Sequence, residues 1–169
     1  MAKSAQSFGK GDWIVHHFYG VGQIKGIEKK ELDGEKTSYY KVQAKNSLFF
    51  IPVGFEDNDR LRPLASKREL NSALKILKKE PEPLNKDHNQ RKRELQEASL
   101  DGSLAAIVRM VRDLSFRQLS NPLNPTEEDT LRRFKQRFAR EWSVRMETDE
   151  DTAEQKINTV LSEQIAKAA

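Results

Sequence analysis

The chain has 169 residues, of which 33% are charged and 36% hydrophobic, and its 30 Lys and Arg face 26 Asp and Glu for a net charge of +4. The absence of cysteine excludes a disulfide framework, a thiolate zinc site and a cysteine nucleophile, and no apolar run approaches bilayer length or the pattern of a secretion signal. The expectation is a soluble cytoplasmic protein of one domain or two small ones, whose modest cationic excess identifies a nucleic-acid binder only if it clusters.

The first third reads as short strands. After Gly11-Asp12, the run Trp13 to His17 has strand character, His17-Phe18-Tyr19-Gly20 supplies a turn, and Val21-Gly22-Gln23-Ile24 starts a second strand. Leu32-Asp33-Gly34-Glu35 holds an Asp-Gly hairpin signal before the strand-like Ser38 to Gln43. Asn46-Ser47 turns into Leu48 to Val53, where Pro52 belongs at a strand end or an edge because it cannot donate a ladder hydrogen bond. Four or five such strands within about 50 residues predict a small, strongly curved antiparallel barrel of the SH3 or Tudor kind.

After Arg62-Pro63-Leu64 the pattern becomes helical. Ser66 can cap a helix carrying Leu70, Ala73, Leu74 and Leu77 on one face, and Glu80-Pro81-Glu82-Pro83 ends it. A basic helical segment spans Lys86 to Glu97, Asp101-Gly102-Ser103 breaks it, and Leu104, Ile107, Val108, Val111 and Leu114 mark the next helix. Beyond the rigid Asn121-Pro122-Leu123-Asn124-Pro125 loop, Thr126 to Asp129 opens a helix whose stripe runs Leu131, Phe134, Phe138, Trp142, Met146. Ile157, Val160, Leu161 and Ile165 mark a terminal helix. The expected architecture is therefore α+β: a Tudor-like barrel over 1–65 and an all-helical domain of about five helices over 66–169.

Catalysis finds little support. The histidines are His16, His17 and His88, and the first two face opposite sides of a strand, so they are poorly placed to share a metal ion. Gly20-Val21-Gly22 lacks the Lys-Ser/Thr and the helix of a phosphate loop. No cofactor, metal or small-molecule substrate is implied. The stretch Lys86 to Arg93 is the best nucleic-acid candidate: on a helix His88, Arg91 and Lys92 share a side with Arg93 beside them, so several cations could follow a phosphate backbone. A solvated face balanced by Asp87, Glu94 and Glu97 is the alternative. Arg132, Arg133, Lys135, Arg137 and Arg140 read as the solvated face of their helix, since the aromatic stripe supplies the inner one. Phe49 and Phe50 point oppositely in a strand, so one can enter the core while the other is exposed or covered by a partner. A small barrel with an exposed edge suits partner binding by strand addition.

Taken together, these segments resemble the CarD/CdnL family of bacterial transcription regulators over nearly the whole chain. The residues that carry the resemblance are Phe8 to Glu28, Gly34-Glu35 before Tyr39-Tyr40, Ile51-Pro52-Val53, Asn89-x-Arg91-x-Arg93-Glu94 followed by Gly102, Val108-x-x-Val111-Arg112-Asp113-Leu114, and Leu123 to Leu131. The resemblance implies an N-terminal Tudor-like domain that docks on the RNA polymerase β subunit and a helical domain that touches promoter DNA, largely without sequence preference, at the upstream edge of the transcription bubble. The outcome would be stabilisation of the open complex.

Carried over by position, Lys30 and Phe50 would face the polymerase, with Phe50 replacing a residue that is basic in some relatives, and Lys29, Phe49 and Pro52 complete the expected polymerase-binding set. On the DNA side Arg91 and Arg93 match cationic positions of the family, and with Lys86, His88 and Lys92 of the basic stretch they form the expected DNA-binding set. His88 stands where many relatives place a tryptophan wedge, and imidazole offers less apolar surface to hold unstacked bases apart. Leu84 lies nearby in the sequence, while the stripe spacing of Trp142 assigns it to the core. An adaptor that keeps the polymerase-docking barrel without the DNA wedge is the alternative reading.

Overall fold

Residues 8–54 and 60–168 are described in the computed structural model of the chain, which divides into two units between Leu64 and Ala65. The first is a five-stranded antiparallel sheet and the second a set of five helices.

Strands β1 (Trp13–His16), β2 (Gly20–Leu32), β3 (Glu35–Ala44), β4 (Leu48–Pro52) and β5 (Leu61–Pro63) lie in the order β4-β3-β2-β1-β5. Alternation puts Ile14, Ile24, Tyr40, Val42, Phe49 and Ile51 on the packed face. Asp33 and Gly34 close the β2–β3 hairpin with φ of 53° and 81°, the paired positive values that an Asp-Gly turn of the primed type requires. Gly22 leaves no room for a side chain: a Cβ there would stand 2.5 Å from Val42 Cγ1 and 3.3 Å from the Gln43 carbonyl oxygen.

Two differences from the sequence reading concern length. The second strand continues to Leu32 because β3 pairs with it along its whole length, holding its exposed, charged end by backbone bonds rather than burial. Strand β5 has too few residues to show a period, and its pairing with β1 defines it.

The helices are α1 (Lys67–Leu77), α2 (His88–Asp101), α3 (Leu104–Ser120), α4 (Pro125–Met146) and α5 (Glu150–Ala168). Ser66 caps α1 through a reciprocal box with Glu69. Helix α2 starts at His88 rather than Lys86, because the Asp87 side chain accepts from Gln90 N at 2.9 Å and so stands outside the helix as its cap. Helix α4 is likewise capped by Asn124 with Pro125 in its first turn, rather than by Thr126. Ala65 belongs with the helices because Glu141 accepts its N–H at 2.8 Å and Arg145 donates to its carbonyl at 2.7 Å.

Phe134 and Phe138 are fully buried at the centre of the helical core, with Trp142 set edge-on to Phe138 at 6.1 Å between ring centroids. Truncating either phenylalanine to alanine would cost about 3–5 kcal/mol. Among the described residues, no helix is long and apolar enough to cross a membrane.

Candidate functional site

The sheet sorts the five candidate residues of the first unit onto two faces. Ile24 pairs with Val42, but the next pair is Gly26 with Lys41, so Lys25 is an extra residue and β2 carries a bulge. Gly26 adopts φ +154° there. The bulge reverses the alternation of β2: Gly26, Glu28 and Lys30 stand opposite Lys41, Tyr39 and Thr37 on the outer face instead of sharing the inner face with Ile24. Strand β4 adds Phe50 opposite Lys41 and Pro52 opposite Tyr39 to the same face.

Lys30, Phe50 and Pro52 are thereby brought onto one surface. Lys30 Nζ lies 3.2 Å from the centroid of the Phe50 ring, both side chains half-buried, a cation–π contact worth about 1 kcal/mol. Beside it Lys41 pairs with Glu28 at 3.3 Å. Lys29 and Phe49 fall on the other face. Phe49 is in the core, where it stacks on Tyr19 at 4.6 Å and lies 5.7 Å from His16. His16 has a turn role: its Nδ1 accepts from the backbone N–H groups of Phe18 and Tyr19 at 3.1 and 3.3 Å.

In the helical unit, Lys86, His88, Lys92 and Arg93 are exposed around the start of α2, and Arg91 is not. Arg91 Nε donates to Glu127 at 2.6 Å, and Nη1 donates to the carbonyls of Asn85 and Lys86 at 3.1 and 2.8 Å. These bonds turn the guanidinium inward, so the grouping of Arg91 with His88 and Lys92 as outward cations is corrected. Helical spacing puts the three near one another, but the apolar side of α2 is so thin, with Arg91 and Leu95 its buried residues, that the arginine itself completes the packed face.

Glu127 is 2% exposed and serves two masters. It pairs with Arg91 and also completes the α4 capping box, accepting from Asn124 N at 3.1 Å. Burial pushes its carboxyl up, but the hydrogen bonds from Arg91 and Asn124 and the charges of Arg91 and Arg117 outweigh that and hold it below its ordinary value. Asn124 Nδ2 lies 3.4 Å from His88 Nδ1, so one network joins Arg91, Glu127, Asn124 and His88 across the starts of two helices.

The sequence reading missed this role of Glu127, although a signal existed. Glu127 stands four residues before Leu131 and seven before Phe134, on the buried stripe of α4, where a carboxylate needs a cation.

The basic set of α4 is largely occupied. Arg132 and Arg133 both pair with Asp129, and Arg140 pairs with Glu150 at 3.2 Å. Burial pushes the Lys135 ammonium below its ordinary value, partly offset by Glu154. Lys92 and Arg93, by contrast, hold no ion pair among the described residues, which leaves them available to an external anion.

Comparison with known proteins agrees with this division. Residues 8–65 match the CarD-like/TRCF RID domain, and residues 72–158 match the CarD C-terminal domain. Residues of this chain are also 40% identical, over 52 positions, to the transcription-repair-coupling factors of two Staphylococcus epidermidis strains. That similarity spans 30% of this chain and 4% of those much longer proteins. The fold and its matches define a two-module protein, a CarD-like/TRCF RID module followed by a CarD C-terminal module. More narrowly, the chain belongs to the CarD family, a non-enzymatic family of transcription factors.

Proposed function

We propose that this protein docks on the RNA polymerase β subunit through the outer face and the β4 edge of its sheet, and contacts promoter DNA at the upstream edge of the bubble through the start of α2. Lys30, Phe50 and Pro52 form the polymerase-facing patch. The positive charge is held in place over the Phe50 ring, and the adjoining β4, at the end of the sheet among the described residues, suits strand addition. Lys29 contributes charge at the rim, while Phe49 supports the patch from beneath.

The DNA-facing cations are Lys86, Lys92 and Arg93, with His88 between them. Arg91 holds that surface in position through Glu127 and the Asn85 and Lys86 carbonyls. Phosphate contacts from these cations give affinity without sequence preference, and docking on polymerase raises their local concentration at the promoter. By binding the melted complex more tightly than the closed one, the protein shifts the equilibrium towards the open complex by that difference in affinity, with no chemistry required.

The observation that carries this reading is the order of the two family matches along one chain, a polymerase-interacting module followed by the CarD helical module. Footprinting of the polymerase–promoter complex tests it: the protein should extend protection at the upstream edge of the bubble, and an unchanged footprint in a complex that contains the protein would refute the DNA contact. That second outcome would favour an adaptor without a wedge, a reading supported by His88, whose imidazole is tethered to Asn124.

A further inference from the structure

A groove between α2, α3 and the Glu82–Leu84 segment takes no part in either proposed interface, and its charge is opposite to that of the chain. Leu84, Ala98 and Met110 supply an apolar lining, and the groove encloses about 310 Å³. The small side chains of Ala98 and Ala106, together with the tight turn at Gly102, leave an open slot where two helices would otherwise interdigitate. Around the slot stand five carboxylates, Glu82, Glu94, Glu97, Asp101 and Asp113, against one guanidinium, Arg109.

Some of these acids are engaged within the protein. Asp113 accepts from Arg112 Nε at 2.8 Å and from Glu82 N at 3.0 Å, and Glu94 accepts from Asn85 N at 3.3 Å. The carboxylates of Glu82 and Glu97 are exposed and bind no other group among the described residues. Glu94, Glu97, Ala98 and Asp101 follow at helical spacing, so one stripe of α2 presents both the acids and the slot. In a chain of net charge +4, this concentration of carboxylates creates a local field that draws cations and repels phosphate.

We propose that this groove docks a basic, amphipathic segment of a partner protein. One apolar side chain of the partner seats against Leu84, Ala98 and Met110, while flanking Lys or Arg side chains meet Glu97 and Glu82. The volume supports a side-chain-sized occupant, since it lies at the lower end of the roughly 300–1,000 Å³ of ligand clefts. The charge complementarity selects a cationic peptide over nucleic acid. The groove serves a contact distinct from both the sheet patch and the start of α2, so it stands or falls independently of them.

The test uses the full chain and a fluorescein-labelled peptide, acetyl-Lys-Arg-Leu-Leu-Arg-Lys-amide, with Ser-Ser in place of Leu-Leu as the equally charged control. The leucine peptide should bind at least about tenfold more tightly than the serine peptide, weaken with salt, and shift the Met110 methyl resonance. Ala98→Phe, which fills the slot without changing charge, should abolish this binding. Glu82→Lys with Glu97→Lys, both on the surface and harmless to packing, should weaken it by about tenfold or more. Equal binding of the two peptides, an unmoved Met110 signal, or binding that survives the charge reversals would overturn the proposal. So would a shift of the Met110 methyl resonance on adding a short DNA duplex alone, which would assign the groove to nucleic acid.

Discussion

Arg91→Ala and Arg93→Ala should separate structure from recognition, although the two arginines lie two positions apart on one helix. Arg91 makes three hydrogen bonds, one to Glu127 and two to the carbonyls that lead into α2. Its removal leaves Glu127, 2% exposed, as a buried carboxylate without its ion partner. Breaking a buried pair from one side costs about 3–5 kcal/mol, a large part of the roughly 5–15 kcal/mol that stabilises a domain. Arg93 is exposed and holds no ion pair among the described residues, so its truncation should change stability by no more than about 0.5 kcal/mol.

Urea unfolding followed by Trp142 fluorescence in a Trp13→Phe background reads the helical unit alone, since the second tryptophan lies in β1. In DNA titrations at several salt concentrations, Arg93→Ala should lower the salt slope by about one, and Arg91→Ala should leave it unchanged under conditions where the variant is folded. An Arg91→Ala protein within about 1 kcal/mol of wild type, combined with a reduced salt slope, would refute the reasoning and return Arg91 to the phosphate-binding set.

Three further outcomes follow from the same geometry. Gly22→Ala forces a Cβ to 2.5 Å from Val42 Cγ1, and the resulting overpacking should destabilise the sheet by about 1–3 kcal/mol in thermal or urea unfolding; unchanged stability would contradict the close packing of β2 on β3. Lys30→Glu should weaken binding to a β-subunit fragment without unfolding the sheet, because the half-buried Lys30–Phe50 contact on the outer face is worth only about 1 kcal/mol; co-purification at wild-type yield would count against the outer face as the docking patch. Glu127 titrates below its ordinary value of 4.5 in the folded chain, so its contribution is complete above that pH and is lost as pH falls through the lower folded value. The stability gap between wild type and Glu127→Gln should accordingly shrink below about pH 4.5, and a gap that stays constant into acid would contradict the pairing with Arg91.

Much of the fold was legible because its signals are local. The Asp33-Gly34 turn, the Ser66 cap and the stripes of α3 and α4 each follow from residues within one or two turns of each other. The bulge at Lys25 was not, since it emerges only when β2 and β3 are paired, and it alone decides that Lys30 faces the same way as Phe50. Arg91 was misread for a similar reason: spacing within α2 shows which residues neighbour one another, but its direction is set by Glu127, 36 residues away on α4. The charge at each candidate site could thus be read from the sequence, whereas which charges remain free depended on long-range partners.

The central claim is most directly tested by the lifetime of an open promoter complex, measured with heparin challenge in the presence and absence of the protein. The account predicts that wild type lengthens the lifetime, that Lys30→Glu abolishes the effect by removing docking, and that Lys92→Ala with Arg93→Ala abolishes it while polymerase binding persists. A lifetime unaltered by the wild-type protein, or lengthened equally by the Lys92 and Arg93 double variant, would contradict it.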